Sequence, residues 1–204
     1  MRTVNAFCLA ATLLAFASAA DASPVVSAHV HNPDFTIPTA GTAPGDAVIT
    51  GPFSTAMGWY SASAGWTTWA NTPGTEHVSW IATSVDGITA NLFSAGGPGG
   101  LVQVLSDPAG NLIGQDTPTD VNRITIYVNV LAGRVGLQLG NGGEAGGPAV
   151  LSRPIVGWQK MSTCGRGDRL NNEVTIYAGG APAVFYVARA DVSYDPRCDA
   201  ATAK

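Results

Sequence analysis

The sequence predicts an all-β protein, an antiparallel β-sandwich of about eight or nine strands stapled by one disulfide. Three observations predict it. Apolar and polar residues alternate through much of the second half, glycine- and proline-rich turns separate these runs, and no window beyond the extreme N-terminus shows a helical period. The chain has 204 residues with 25 Gly and 13 Pro. Those breakers concentrate between the periodic runs, as turn chemistry requires.

Residues 1–22 read as a secretory signal peptide, with one positive charge at Arg2 and an apolar run from Ala6 to Ala17. Small-x-small sites end at Ala19 and Ala22, and cleavage is placed after Ala22. This run is too short to span a bilayer as a helix, and no later one is long enough. The mature chain is therefore expected to be secreted, extracellular or periplasmic, without a transmembrane segment. Residues 23–204 read as a single domain, with an irregular lead-in rich in Pro, Gly, Ala and Thr to about residue 50.

The strands then follow in order. Candidates are His77 to Ser84, Ile88 to Phe93 and Leu101 to Leu105, ahead of the turn Asp107-Pro108-Ala109-Gly110-Asn111. Arg123 to Val130 alternates strictly, with Ile124, Ile126, Val128 and Val130 on one face. Arg134 to Leu139 repeats the pattern with Val135, Leu137 and Leu139 inward. After the glycine turn at 140–143 come Ile155 to Thr163, Glu173 to Ala178 and Val184 to Tyr194.

Charge and cysteine usage narrow the class. The net charge is −4, unchanged when Arg2 and Asp21 leave with the signal. Lys160 and Lys204 are the only lysines, and no basic stripe exists, so a nucleic-acid partner is disfavoured. Cys8 belongs to the signal, leaving Cys164 and Cys198 as an even pair in an exported protein. Their disulfide would close a loop of about 35 residues, which chain entropy puts at ~3–4 kcal/mol.

Four tryptophans, Trp59, Trp66, Trp69 and Trp80, fall in the segment GWYSASAGWTTWANTPGTEHVSW, with Tyr60 beside the first. Most of these rings lack flanking aliphatic runs. Indole faces on a loop-rich surface suit the apolar C–H face of a sugar, and the same rings could plug the end of a sandwich. Trp80, between Val78 and Ala82, is assigned to the core. Trp59 fits either role. Trp66 and Trp69, amid Gly and Thr, are the better ligand candidates, with Trp59 and Tyr60 in support. Asn71, Thr72 and Glu76 would add directional hydrogen bonds, and the polar segment from Cys164 to Glu173 could add Arg166 and Asn171.

Other chemistry is sparse. Arg166-Gly167-Asp168 is a three-residue string in what reads as a solvated loop, and His29 and His31 share a face without a third ligand nearby. No nucleophile elbow, metalloprotease helix, phosphate loop or dinucleotide fingerprint occurs. Glu76, Glu144 and Glu173 nominate no carboxylate pair for glycoside hydrolysis.

Five strings, taken in order, resemble the galactose-binding-like jelly rolls that include carbohydrate-binding modules of secreted bacterial proteins. Asn32-Pro33-Asp34-Phe35 is similar to that family's opening, followed by Gly58-Trp59. Gly100 to Leu105, with its central Gln103, looks like an inner strand, and Gly157-Trp158-Gln159-Lys160 resembles the start of a late one. Phe185 to Tyr194 resembles the closing strand. The likeness spans Val30 to Tyr194 and implies a jelly roll. It also implies a possible structural Ca²⁺ between the opening and closing segments, with Asp34 and Asp191 as its remnants. Here Thr36 replaces the usual acidic residue, and Ala188-Arg189-Ala190 interrupts the acidic pair. Calcium takes six to eight oxygens, several from carboxylates.

The expected function is non-catalytic carbohydrate binding by aromatic stacking, with a glycan or polysaccharide as partner. The alternative is a secreted structural scaffold whose loops meet a protein partner. A small jelly-roll polysaccharide lyase or hydrolase comes third.

Overall fold

The computed structural model describes residues 28–36, 65–70, 78–111, 113, 121–139, 149–166, 173–180 and 182–198. The signal segment and the calls on Trp59, Tyr60, Asn71, Thr72, Glu76 and Asn171 lie outside the described residues. Ten strands occur within them: β1 (Thr67–Ala70), β2 (Val78–Val85), β3 (Ile88–Ala95), β4 (Gly99–Val104), β5 (Val121–Ala132), β6 (Val135–Leu139), β7 (Val150–Leu151), β8 (Gly157–Arg166), β9 (Glu173–Ala178) and β10 (Ala183–Tyr194). They form two five-stranded sheets, ordered β1-β4-β9-β6-β7 and β2-β3-β10-β5-β8. Every pairing is antiparallel.

The alternation read from the sequence is what packs the two sheets. Ile124, Ile126, Val128 and Val130 of β5 and Val135, Leu137 and Leu139 of β6 are all buried in one core. Phe93 and Phe185 face each other in register across β3 and β10, their centroids 5.0 Å apart. Leu101, Leu105, Val174 and Ile176 close the core from the first sheet. Burial of this kind, at ~25 cal/mol per Å² of apolar surface, is the main term holding a sandwich together. The count exceeds the expected eight or nine by one or two, and the strands not itemised from the sequence are the short edge strands β1 and β7. β1 and β7 have four and two residues, too few for an alternation to show.

Three ties close the ends of the sandwich. The lead-in bridges β4's exit through His29 and Ser106, with backbone bonds of 2.7 and 3.0 Å, and Gln103 engages both the N–H and the C=O of His31. Asp107 Oδ1 accepts the N–H groups of Ala109 and Asn111 at 2.9 and 2.8 Å, an Asx turn that ends the strand. At the other terminus Cys164 and Cys198 are bonded, with their Cα atoms 5.4 Å apart. Beside that bridge Asp195 takes Arg123 at 2.7 Å and Arg197 at 2.9 Å.

Candidate functional site

The sheet β1-β4-β9-β6-β7 has one face in the core and one turned away from it. Since Val174, Ile176 and Ala178 are buried inward, Glu173, Thr175 and Tyr177 of β9 occupy the other face. The pairing registers then define a row across all five strands. Leu151 stands opposite Gly136, Gly136 opposite Tyr177, Tyr177 opposite Gly100, and Gly100 opposite Trp69.

Glycine flanks Tyr177 on both sides, and that decides the ring's attitude. A Cβ at Gly136 would land on the tyrosine ring itself, against Cε1, Cε2 and Cζ. A Cβ at Gly100 would meet the Tyr177 backbone and Cβ at 2.9 and 2.8 Å. The ring therefore lies down over the bare backbone of β6, covering a glycine that would otherwise weaken the strand. It is half-buried, and this burial pushes its hydroxyl pKa up. Trp69 and Tyr177 are separated by two strand intervals, roughly 9–10 Å.

Polar groups flank this row. Thr175 pairs with Val102 on one side and Gln138 on the other, and all three are almost fully covered. One step further along β9, Glu173 stands opposite Val104. Desolvation raises the Glu173 carboxyl above its ordinary range. A half-buried ring, with a half-buried carboxyl four residues away on the same face of β9, can meet a ligand that has one apolar face and a polar rim.

The structure places the expected residues unevenly. Trp69 falls in the row. Trp66, expected to present its indole to a ligand, is fully buried. It stacks on Phe35 with centroids 4.7 Å apart and donates its Nε1–H to the Asn32 carbonyl at 3.2 Å. That is a correction: the short, polar-looking Gly65-Trp66-Thr67 stretch turns inward because the lead-in folds over the end of the core and supplies both an aromatic partner and an acceptor. Trp80 stands opposite Phe93 in the β2–β3 register. Arg166 is the last residue of β8, opposite Val121 in the other sheet, and is not brought to the row. His29 and His31 line a separate hollow of about 410 Å³ with Gln103, Ser106 and Asp107.

Asp34 and Asp191 do converge, as the family resemblance implied, but around a guanidinium. Arg189 Nε lies 2.7 Å from Asp191 Oδ2 and 3.8 Å from Asp34 Oδ1, and these two carboxylates raise the arginine's pKa further. Among the described residues no group of three His, Cys, Asp or Glu side chains could hold a metal ion. The pair therefore does not fit a calcium site: the cation there is part of the chain.

Sequence reasoning missed Tyr177, Glu173, Thr175 and Gln138. The available signal was a tyrosine on the outer face of an expected strand, with a glycine inside the expected strand Arg134 to Leu139 and another just before Leu101 to Leu105. Only the register joins these into one row.

No protein-family model and no curated protein matches this sequence. Solved structures similar to the chain include a family 29 carbohydrate-binding module from Piromyces equi, at 13% identity and a TM-score of 0.40, covering 74% of this chain and 91% of that one. A family 22 xylan-binding domain of Paenibacillus barcinonensis Xyn10C shares 14% identity at a TM-score of 0.36, covering 75% of this chain and 97% of that one. The tandem of two such modules in the same protein gives 14% identity and 0.37, covering 76% of this chain and 46% of that one.

Proposed function

We propose that this protein is a secreted, non-catalytic carbohydrate-binding protein whose site is the outer face of the sheet β1-β4-β9-β6-β7. The observation that carries the reading is the ring of Tyr177 laid across Gly136, in one register row with Gly100 and Trp69. A pyranose has an apolar C–H face and an equatorial rim of hydroxyls. The half-buried phenol, with the Glu173 carboxyl on the same face of β9, offers a partner for each.

The test is affinity electrophoresis and calorimetry of the oxidised mature protein against xylan, glucomannan, β-glucan, galactan and chitin oligosaccharides. Binding to at least one is expected, and Tyr177→Ala should weaken it about tenfold or more, since losing one stacked ring removes ~1–1.5 kcal/mol. Tyr177→Leu keeps the cover over Gly136 and separates lost stacking from lost folding. Retention of full affinity in both variants, or no binding to any polysaccharide, would overturn the reading. Secretion is tested by the N-terminus of protein recovered outside the cytoplasm, expected at Ser23.

A further inference from the structure

The opposite sheet carries an aromatic pair that the row on β9 does not use. Tyr127 of β5 and Trp158 of β8 stack with centroids 4.8 Å apart and planes 11° from parallel. Trp158 is fixed by its Nε1–H, which donates to Asp86 Oδ2 at 2.9 Å. Asp86 sits in the two-residue β2–β3 turn, where both it and Gly87 have positive φ, of 52° and 76°.

One wall of that pair opens onto a hollow of about 280 Å³ lined by Asp34, Ile88, Thr89, Tyr127, Ala188 and Arg189. Two departures from regular backbone meet there. A bulge between Val187 and Arg189 breaks the β10–β5 register and re-aims the arginine. Asn32 and Phe35, at φ of 52° and 56°, bend the lead-in tightly, and the Ala190 N–H bonds the Pro33 carbonyl at 2.8 Å. Together they bring Asp34 to Arg189. Left-handed backbone at a phenylalanine is strained, and such strain gathers at sites that use it.

We propose that this hollow is a second carbohydrate site, on the sheet opposite the first, sized for one neutral pyranose. Tyr127 supplies the apolar wall. Asp34 accepts from sugar hydroxyls, Arg189 donates to them, and Thr89 can do both. Asp34 and Asp191 together outweigh Arg189 by one negative charge, which disfavours an anion and leaves a neutral polyol able to meet both donor and acceptor. The volume lies at the lower limit of the ~300–1,000 Å³ usual for small-molecule pockets. With two sites on opposite sheets, one domain would bridge two glycans. The inference rests on residues that the first site does not contain.

The test is a ¹H–¹⁵N correlation titration of the oxidised protein with methyl glycosides of glucose, galactose, mannose and xylose. At least one is expected to give saturable shifts at Thr89, Tyr127, Ala188 and Arg189. Tyr127→Ala should weaken that binding about tenfold, and Thr89→Val, an exposed position that leaves the aromatic pair intact, should weaken it measurably. Shifts confined to Gly100, Gly136 and Tyr177 would overturn this proposal and leave the first reading standing. Saturable shifts on β5 and β10 without any on β9 would support this site and leave the first to its polysaccharide test. No saturable shift at Thr89, Tyr127, Ala188 and Arg189 with any of the four sugars removes the second site.

Discussion

Replacing Trp66 by alanine separates a packing ring from a binding ring more sharply than any other change in this chain. The indole is fully buried, and a tryptophan takes some 150–250 Å² out of water, or ~4–6 kcal/mol at 25 cal/mol per Å². Measured Trp→Ala substitutions in cores run at ~3–5 kcal/mol. Two further losses belong to this site: the bond to the Asn32 carbonyl, and the face that holds Phe35 in its left-handed conformation. For a domain of roughly 150–250 residues, 3–5 kcal/mol corresponds to a melting temperature lower by roughly 6–20 °C. Trp66→Phe keeps the stack and loses only the N–H donor, so it should fall well short of that, at ~1–2 kcal/mol. Urea denaturation and calorimetric melting of the oxidised protein, with glycan binding measured below the transition, provide the readout. If Trp66→Ala unfolded within ~1 kcal/mol of wild type while glycan binding disappeared, the ring would be presented to ligand and the packing argument would fail.

Gly136→Val places a branched side chain where the Tyr177 ring lies, so the ring must lift. We expect ~1–3 kcal/mol of destabilisation and a loss of glycan affinity as large as that of Tyr177→Ala; unchanged affinity would mean the ring's attitude is irrelevant. Asp195 is held well below the usual carboxylate range, first by hydrogen bonding to Arg197 and then to Arg123. A depressed folded pKa adds stability that is complete above the unfolded value, about pH 4, and is lost as pH falls toward the folded one. Urea midpoints should therefore drop below about pH 4 in wild type and drop less in Asp195→Asn; parallel acid profiles would refute this. With Arg189 between Asp34 and Asp191, the melting temperature should be the same in millimolar CaCl₂ and in EDTA, and a clear rise with calcium would show that a metal displaces the arginine.

What the sequence made legible was whatever a single strand declares about itself. Ile124 to Val130 and Val135 to Leu139 state their faces by period, and their burial followed. The Cys164–Cys198 pairing was legible from parity, since reading Cys8 as part of a leader leaves two cysteines with one partner each. The opening and closing strings brought Asp34 and Asp191 together as the resemblance implied. The chemistry between them was fixed by one local departure, Arg189, which supplies the charge that a cation would bring.

The site was less legible because it belongs to no strand alone. Leu151, Gly136, Tyr177, Gly100 and Trp69 come from five strands, and a slip of one residue in any pairing would send its member to the other face. The tryptophan cluster was conspicuous by density, yet density says nothing about direction. Trp66 and Trp69 are three residues apart; the first fills the core just before β1, and the second belongs to β1, opposite Gly100. In a regular strand an odd separation places two residues on opposite faces, so spacing by three is a poor signature of one aromatic platform. The polarity of the neighbours in Gly-Trp-Thr-Thr-Trp obscured that argument.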